Sequence, residues 1–168
     1  DVSAGAPLVL LIDGGSASSS EVVAAALQDR GRAVIVGSNS YGKGTVQNII
    51  RLPNDGEMAL TWSRLYAPSG YSFDRLGILP NVCTSAAEED GKTVLARIQR
   101  GEITDALRLA AWRNADTLDN AQRTDLGRTC PKARGDRTVD LDVARGLLAD
   151  RKLYARALAI GEPVQNPR

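Results

Sequence analysis

Residues 6–37 read APLVLLIDGGSASSSEVVAAALQDRGRAVIVG, and this stretch decides the fold. Residues 6–12 are a short continuous apolar run, which is typical of a buried, parallel strand, and residues 32–37, RAVIVG, are predicted to be a second buried strand. Residues 20–31 predict a helix, because serines that can cap it precede the apolar positions, Glu21 lies in its first turn and a glycine ends it. Strand, helix and strand in this order form a βαβ unit. The chain is therefore predicted to be an α/β protein.

Two further regions follow the βαβ unit. Residues 45–52 and 57–68 are rich in β-branched residues, and the turn sequence PNDG separates them, which predicts a hairpin. Residues 69–82 are predicted to be a loop. From Thr84 onward the apolar periodicity predicts one helix each at residues 90–101, 102–115 and 139–161, and residues 130–137, CPKARGDR, are predicted to be a loop. The chain is therefore divided into a core, a helical extension and a disordered tail, at residues 1–83, 84–160 and 161–168.

The composition restricts the classes of function. The chain has 168 residues, of which 43% are hydrophobic and 24% are charged, as in ordinary globular domains. Its net charge of +1 offers no electrostatic attraction to nucleic acid or to an anionic membrane. No apolar run reaches the ~18 residues of a membrane span. The chain starts at Asp1 without a methionine or a signal-peptide pattern, as expected of a mature product or a part of a longer protein.

The chain contains no histidine, which excludes a Ser-His-Asp triad, a Cys-His dyad and most zinc sites. Its two cysteines, Cys83 and Cys130, have no partner at metal-ligand spacing. They are either two buried thiols or one disulfide. A disulfide would stabilise the fold by about 4 kcal/mol.

A glycine-flanked lysine follows the second predicted strand. The segment GSNSYGKG, residues 37–44, is one residue short of the phosphate-binding pattern, because Gly44 stands where a serine or threonine should hold magnesium. A phosphate loop also leads into a helix, whereas residues 45–50 favour a strand. The segment is therefore not predicted to bind a nucleotide. Lys43 is either an exposed lysine in a tight turn or a residue with a chemical role.

The serine-rich turn GGSASSSE, residues 14–21, offers such a role. A nucleophile is often presented between a strand and a helix, because free N–H groups at the helix N-terminus stabilise an oxyanion. The simpler alternative is a serine that caps the helix. A serine hydroxyl attacks only if a base takes its proton, and without histidine a lysine is the candidate. Such a lysine has to be partly desolvated to be neutral, and an apolar pocket formed by the two buried strands is expected to desolvate it.

At this point the sequence resembles the carboxy-terminal processing (tail-specific) serine proteases. The resemblance extends over residues 7–82 and consists of linked blocks in the family's order and spacing. These blocks are GSASSSE, ALQD, GRAVIVG, YGKGTVQ, APSG and GILPNV. A lone glycine-lysine-glycine would not be specific, but the linked set is.

The resemblance implies a role for five residues. Ser18 would be the nucleophile and Lys43 its general base, while Gln47 would orient the lysine amine. The backbone N–H of Ser19 would be one oxyanion donor. Asp29 matches an acidic position that some members require, or it is an ordinary surface residue in the last turn of a helix.

Four positions are structural or depart from the family pattern. Ser16 and Ser20 match block positions that we interpret as a turn former and a helix cap. Tyr41 stands where phenylalanine is usual, which is a mild change. Asn81 replaces an aspartate, which puts a loop contact in doubt.

The resemblance also implies a fold, an activity and a location. The fold would be the second half of a ClpP/crotonase-like spiral, and the reaction would be peptide hydrolysis near the C-termini of proteins, without cofactor or metal. A PDZ domain and the first half of the protease core would precede this chain and supply the second oxyanion donor. Their absence would leave sheet edges open, which favours a homo-oligomer. The family works in the periplasm, cell envelope or thylakoid lumen, which favours a Cys83–Cys130 disulfide.

Two other functions are alternatives to a peptidase. A non-catalytic binding or assembly module could form from the C-terminal part of such a protease, because one lost oxyanion donor alone costs about 3 kcal/mol. An acyl-CoA enzyme of the crotonase type would share the spiral, but it does not explain the set of Ser18, Lys43 and Gln47.

Overall fold

A computed structural model of the chain describes residues 3–86, 89–102, 105–135 and 138–161. Its strands are β1 (Val9–Ile12), β2 (Val34–Gly37), β3 (Thr45–Arg51), β4 (Glu57–Arg64) and β5 (Val82–Cys83). Its α-helices are α1 (Ser19–Asp29), α2 (Gly91–Arg100), α3 (Asp105–Arg113), α4 (Asn120–Arg128), α5 (Thr138–Ala149) and α6 (Arg151–Ile160). A short 3-10 helix covers Ala115–Thr117.

β1, α1 and β2 form the βαβ unit that the sequence predicts. The two strands pair in parallel, from Val9 opposite Val34 to Ile12 opposite Gly37. Gly37 has φ 134°, and a Cβ at this position would collide with the carbonyl oxygen of Ile12. Glycine alone fits this close approach, so the residue that ends β2 is constrained by its neighbour strand.

β5 completes a three-stranded sheet with the order β1-β2-β5. It pairs in parallel with β2 through Val36 opposite Val82 and Gly37 opposite Cys83. The prediction of a loop over residues 69–82 was therefore wrong at its end. A strand of two residues is too short to show a periodicity. Its pairing depends on β2, which lies about 46 residues earlier in the chain.

β2 divides the interior into two apolar clusters, because alternate residues of a strand face opposite sides of the sheet. Ile35 packs in the first cluster, with α1, the segment of residues 67–79 and the buried Trp112 of α3. Val34 and Val36 pack in the second, with apolar residues of α2, α5 and α6. The helices after Thr84 thus cover one face of the sheet and also reach the other.

The C-terminal helices differ from the prediction. The expected single helix over residues 139–161 was wrong, because the chain breaks at Asp150, which caps α6 by accepting from the N–H groups of Lys152 and Leu153. α4 was not predicted, and it begins with a capping box between Asp119 and Gln122. The predicted tail at residues 161–168 lies, apart from Gly161, outside the described residues. No described helix is long and apolar enough to cross a membrane.

β3 and β4 form the predicted antiparallel hairpin. Its register shifts between Val46 and Gln47, so that β4 carries one extra residue, Trp62, at this point. The hairpin is exposed on both faces: Ile49 is 63% and Trp62 is 64% accessible to solvent. It therefore presents a large apolar surface directly after Lys43.

Candidate active site

A strand-to-helix turn leads from β1 to Ser18. The Oδ1 atom of Asp13 accepts hydrogen bonds from the N–H groups of Gly15 and Ser16 and from the hydroxyl of Ser16. Ser16 is thus a turn former, as predicted. Ser18 is the N-cap residue of α1, with φ 56° and ψ −116°. Ser20 lies inside α1, so its prediction as the helix cap was wrong.

The backbone of Ser18 is strained. A non-glycine residue with positive φ outside the left-handed helical region costs about 1–3 kcal/mol, and such residues cluster at functional sites. A strained turn that exposes a serine between a strand and a helix is the geometry of a nucleophile elbow. Ser18 therefore has the backbone conformation expected of a presented nucleophile.

Replacing Ser18 by glycine is expected to raise the free energy of unfolding by about 1 kcal/mol, because glycine adopts this conformation without strain. Urea denaturation at fixed pH measures the change. Ser20→Gly is the matched control, and it is expected to destabilise by about 0.5 kcal/mol because Ser20 is helical. Equal destabilisation in both variants would contradict the strain at Ser18.

The Lys43 loop follows β2 at the same edge of the sheet as the serine turn. Ser38, Asn39 and Ser40 are buried, and β3 begins two residues after Lys43. A strand and not a helix follows the lysine, which agrees with the rejection of a phosphate loop. The Lys43 side chain is exposed. The expectation that two buried strands desolvate it was wrong, because the lysine lies beyond β2 and beside an uncovered hairpin.

Glu21 joins the serine turn to the Lys43 loop. Its carboxylate is fully buried, and one oxygen accepts from the Ser18 N–H and the Lys43 N–H, at 2.8 Å each. The other oxygen accepts from the Gly42 N–H at 2.6 Å and from the Ser40 hydroxyl at 2.5 Å. The backbones of the predicted nucleophile and base are therefore held at one carboxylate. No hydrogen bond in the described part of the chain joins the Ser18 hydroxyl to the Lys43 amine.

Sequence reasoning missed the role of Glu21. It placed this residue only in the first turn of the helix, where an acidic side chain favours the helix dipole. A glutamate three residues after a capping serine is also the signal of a capping box, which explains its bond to Ser18. No sequence pattern of this kind indicates its hydrogen bonds to the N–H groups of Gly42 and Lys43.

Ser19 is the first residue of α1. Its backbone N–H has no acceptor among the described residues, and it points from the positive end of the helix dipole. This is the position that an oxyanion donor requires. Among the described residues, no three histidine, cysteine, aspartate or glutamate side chains converge as a metal site requires.

Gln47 and Asp29 have partners other than Lys43. The Gln47 side chain is exposed and donates to the Thr61 hydroxyl across the hairpin, at 3.0 Å. The structure does not bring it to the lysine amine. The Asp29 side chain is 2% exposed and accepts from the Arg113 guanidinium at 2.8 Å and from Ser69 at 2.7 Å. Asp29 thus ties α1 to α3, and the alternative that it is an ordinary surface residue was wrong.

Cys83 and Cys130 form a disulfide, with a Cα–Cα distance of 5.9 Å. It anchors residues 130–135, the CPKARG loop, against the site. The Ala133 carbonyl accepts from the Gly14 N–H at 2.6 Å and from the Ser38 hydroxyl at 3.1 Å. The predicted loop over residues 130–137 is therefore a loop in its described part, residues 130–135, but it contacts both segments of the site, which no spacing in the sequence indicated.

Two basic residues of the CPKARG loop bind carbonyl groups of the site. The Lys132 amine donates to the Tyr41 carbonyl at 2.6 Å and lies 5.9 Å from the centre of the Tyr41 ring. Partial burial lowers the pKa of Lys132, and the negative charge of Glu21 opposes this shift. The Arg134 Nε donates to the Gly14 carbonyl at 3.2 Å.

Comparison with known proteins identifies the family. The sequence profile described as peptidase family S41 matches residues 1–84, half of the chain. The chain belongs to peptidase family S41. A carboxy-terminal-processing protease of Bartonella bacilliformis is 53% identical over 76 residues, which are 45% of this chain and 18% of that protein. Carboxyl-terminal-processing peptidase 3 of Arabidopsis thaliana chloroplasts is 44% identical over 80 residues, which are 47% of this chain and 15% of that protein.

A solved structure is also similar to this S41 chain. It is a photosystem II D1 C-terminal processing protease, 39% identical, with a TM-score of 0.42 over 44% of this chain and 19% of that one. The matched segment thus spans less than a fifth of the length of these relatives. The S41 profile ends at Thr84, so the CPKARG loop lies outside the part of the chain that the family profile matches.

One departure from the S41 pattern has a structural partner. Asn81 is fully buried, and its Oδ1 accepts from the Ile35 N–H and from the Gln28 amide, at 3.0 Å each. Its Nδ2 donates to the Ala157 carbonyl of α6 at 3.4 Å. An ionised aspartate could not donate this last bond. An asparagine therefore fits this position, because its amide can donate to the carbonyl of α6 that packs over it.

Proposed function

We propose that the protein of which this chain is part is a serine peptidase that cleaves proteins near their C-termini, in the periplasm or cell envelope. Ser18 is the nucleophile, Lys43 the general base, and Gln47 the residue that orients the lysine amine. The single observation that carries this proposal is the buried Glu21 carboxylate, which holds the strained Ser18 and the Lys43 loop together. Membership of peptidase family S41 and the names of the relatives support it.

The reaction proceeds through an acyl-enzyme. The neutral Lys43 amine takes the Ser18 hydroxyl proton while Oγ attacks the peptide carbonyl carbon, and the Ser19 N–H stabilises the oxyanion. The C–N bond then breaks, and Lys43 gives its proton to the leaving amine. A water molecule, deprotonated by Lys43, hydrolyses the ester and restores the Ser18 hydroxyl.

Two features of the site require the rest of the protein. Lys43 is exposed and Gln47 is bonded to Thr61, so neither is yet arranged for catalysis. We propose that upstream strands of a ClpP/crotonase-like spiral cover the β3–β4 hairpin, desolvate Lys43 and supply the second oxyanion donor, and that a PDZ domain precedes them. Desolvation favours the neutral amine, which the base must be.

Covalent labelling tests the proposal. The folded chain and the whole protein are treated with a serine-reactive phosphonate, and the adduct is mapped by mass spectrometry. We expect an adduct on Ser18 of the whole protein that is absent in Ser18→Ala and reduced about 100-fold or more in Lys43→Ala, because general-base catalysis contributes about 10²–10⁴. Lys92→Ala, which removes an exposed lysine of α2, is the matched control and should label normally.

The same labelling experiment distinguishes the peptidase from the alternative, a non-catalytic assembly module. A whole protein that folds but does not label Ser18 would exclude the peptidase proposal for this site. It would favour a non-catalytic assembly module, for which the exposed apolar hairpin and the open edges of the sheet are the supporting observations. Sedimentation velocity of the chain would then be expected to show a homo-oligomer.

A further inference from the structure

A cleft with three basic side chains lies beside the candidate site. It has a volume of about 470 Å³ and opens between the serine turn and the Lys43 loop. Its lining residues are Gly14, Tyr41, Gly42, Arg75, Lys132 and Arg134. None of these lining residues is acidic, so the lining carries three positive charges and no negative one.

The basic side chains come from two separate segments. Lys132 and Arg134 lie on the CPKARG loop, where each donates one bond to a backbone carbonyl and keeps further N–H donors. Arg75 lies opposite, where its N–H donates to the Gly42 carbonyl at 2.8 Å. Its side chain makes no hydrogen bond or ion pair with any described residue. The three basic residues therefore line one cleft from two separate segments of the chain.

Three carboxylates on neighbouring segments accept hydrogen bonds from groups other than these three side chains. Asp13 accepts three bonds inside its own turn, and Asp74 accepts from the Gly44 N–H at 3.2 Å. Glu21 is buried and has four donors. Partial burial lowers the pKa of Lys132, and the negative charge of Glu21 does not fully offset this desolvation of the amine. A bound anion would compensate the three cations.

The position of the cleft indicates what this anion is. Tyr41 and Gly42 directly precede Lys43, and Gly14 begins the turn that presents Ser18. A polypeptide at Ser18 therefore passes next to the cleft, and the anionic group that a polypeptide carries is a carboxylate. Carboxylates accept paired bonds from guanidinium groups, which two of the three cations supply.

We propose that the cleft of Arg75, Lys132 and Arg134 binds a carboxylate of the polypeptide substrate, either the C-terminal α-carboxylate or an acidic side chain. This inference rests on the proposed peptidase function, because it takes the polypeptide at Ser18 as the ligand. It assigns a specificity role to the CPKARG loop, which lies beyond the segment matched by the family profile.

Peptide binding without turnover tests the inference. Three unlabelled, N-acetylated pentapeptides of alanine and valine are compared by isothermal titration calorimetry on the Ser18→Ala chain: a free acid, its C-terminal amide, and an amide with one internal glutamate. We expect the free acid or the glutamate peptide to bind at least about fivefold more tightly than the plain amide. The tighter of the two identifies the source of the carboxylate.

Two variants show whether the cleft is responsible. Arg75→Ala is expected to weaken the carboxylate peptide about fivefold and to leave the plain amide unchanged, since the Arg75 side chain supports no described contact. Arg145→Ala is the charge-matched control on the exposed side of α5, and it should change neither affinity more than about twofold.

Three outcomes would overturn the inference: no binding of any peptide, equal affinity for all three peptides, or equal effects of Arg75→Ala and Arg145→Ala. Each can occur while the phosphonate labels Ser18 of the whole protein, so failure of the carboxylate site is distinguishable from failure of the peptidase proposal. Conversely, carboxylate binding that depends on Arg75 supports the inference even if the peptidase proposal fails. The Ser18→Ala chain cannot form an acyl-enzyme, so this binding is measured independently of catalysis.

Discussion

Replacement of Glu21 by alanine is expected to lower the free energy of unfolding by about 4 kcal/mol and to abolish labelling of Ser18. The carboxylate is fully buried and accepts from three backbone N–H groups and one hydroxyl. Each donor left without an acceptor in the interior costs about 1–3 kcal/mol, less where the structure relaxes. Labelling is lost because the Lys43 loop is no longer held to the turn of Ser18.

Urea denaturation followed by tryptophan fluorescence measures the change in stability, because Trp112 is fully buried and becomes exposed on unfolding. Glu21→Gln keeps the shape but places an amide donor against N–H donors, so an intermediate loss is expected. Glu57→Ala on the exposed hairpin is the matched control, with an expected change within about 0.5 kcal/mol. A loss for Glu21→Ala as small as this control's would show that Glu21 does not hold the site together.

Removal of the Cys83–Cys130 disulfide is expected to cause the second large loss of stability. The double variant Cys83→Ser, Cys130→Ser is expected to lose about 4 kcal/mol, because the bond closes a loop between residues 47 apart and so restricts the unfolded chain. The loss should also loosen the CPKARG loop, since Cys130 is its first residue. Urea denaturation of the oxidised chain, the chain with dithiothreitol and the double variant measures the effect.

The reductant provides the control for this prediction. Dithiothreitol should lower the stability of the native chain to about that of the double variant and leave the double variant unchanged. Thiol titration of the denatured, unreduced protein should find no free cysteine. Two free thiols in that titration would show that the bond does not form in the protein as produced.

Local patterns predicted the elements whose contacts are close in sequence. The apolar run of β2 could be recognised because this strand is buried on both faces. The apolar run of β1 predicted a buried strand as well, but β1 lies at the sheet edge and its Leu11 is 40% exposed. The PNDG turn marked the hairpin. β5 was missed because two residues carry no period and pair only with a distant strand. The break at Asp150 was missed because apolar periodicity continues through it, whereas its side chain prefers to cap the next helix.

In the candidate site as well, local sequence patterns predicted some features, whereas others depend on contacts between distant segments. The residue types and their spacing placed Ser18 and Lys43 on two loops that follow neighbouring parallel strands, and such loops meet at one edge of a sheet. Sequence reasoning also assigned Lys43 a desolvated position and Gln47 a contact with it. The structure has Lys43 exposed and Gln47 bonded to Thr61, because the hairpin that follows the lysine is uncovered.

By itself, the sequence determined the βαβ unit, the hairpin and the strand-to-helix turn that presents Ser18, since these depend on periodicity, caps and turn residues within about 30 residues. Only the tertiary structure decided that Glu21 binds the Lys43 loop, 22 residues away, and that Arg134 reaches Gly14, 120 residues away. Such contacts arise when packing of the two apolar clusters brings distant segments together. Their partners are backbone groups, which are the same in every residue and leave no mark in the sequence.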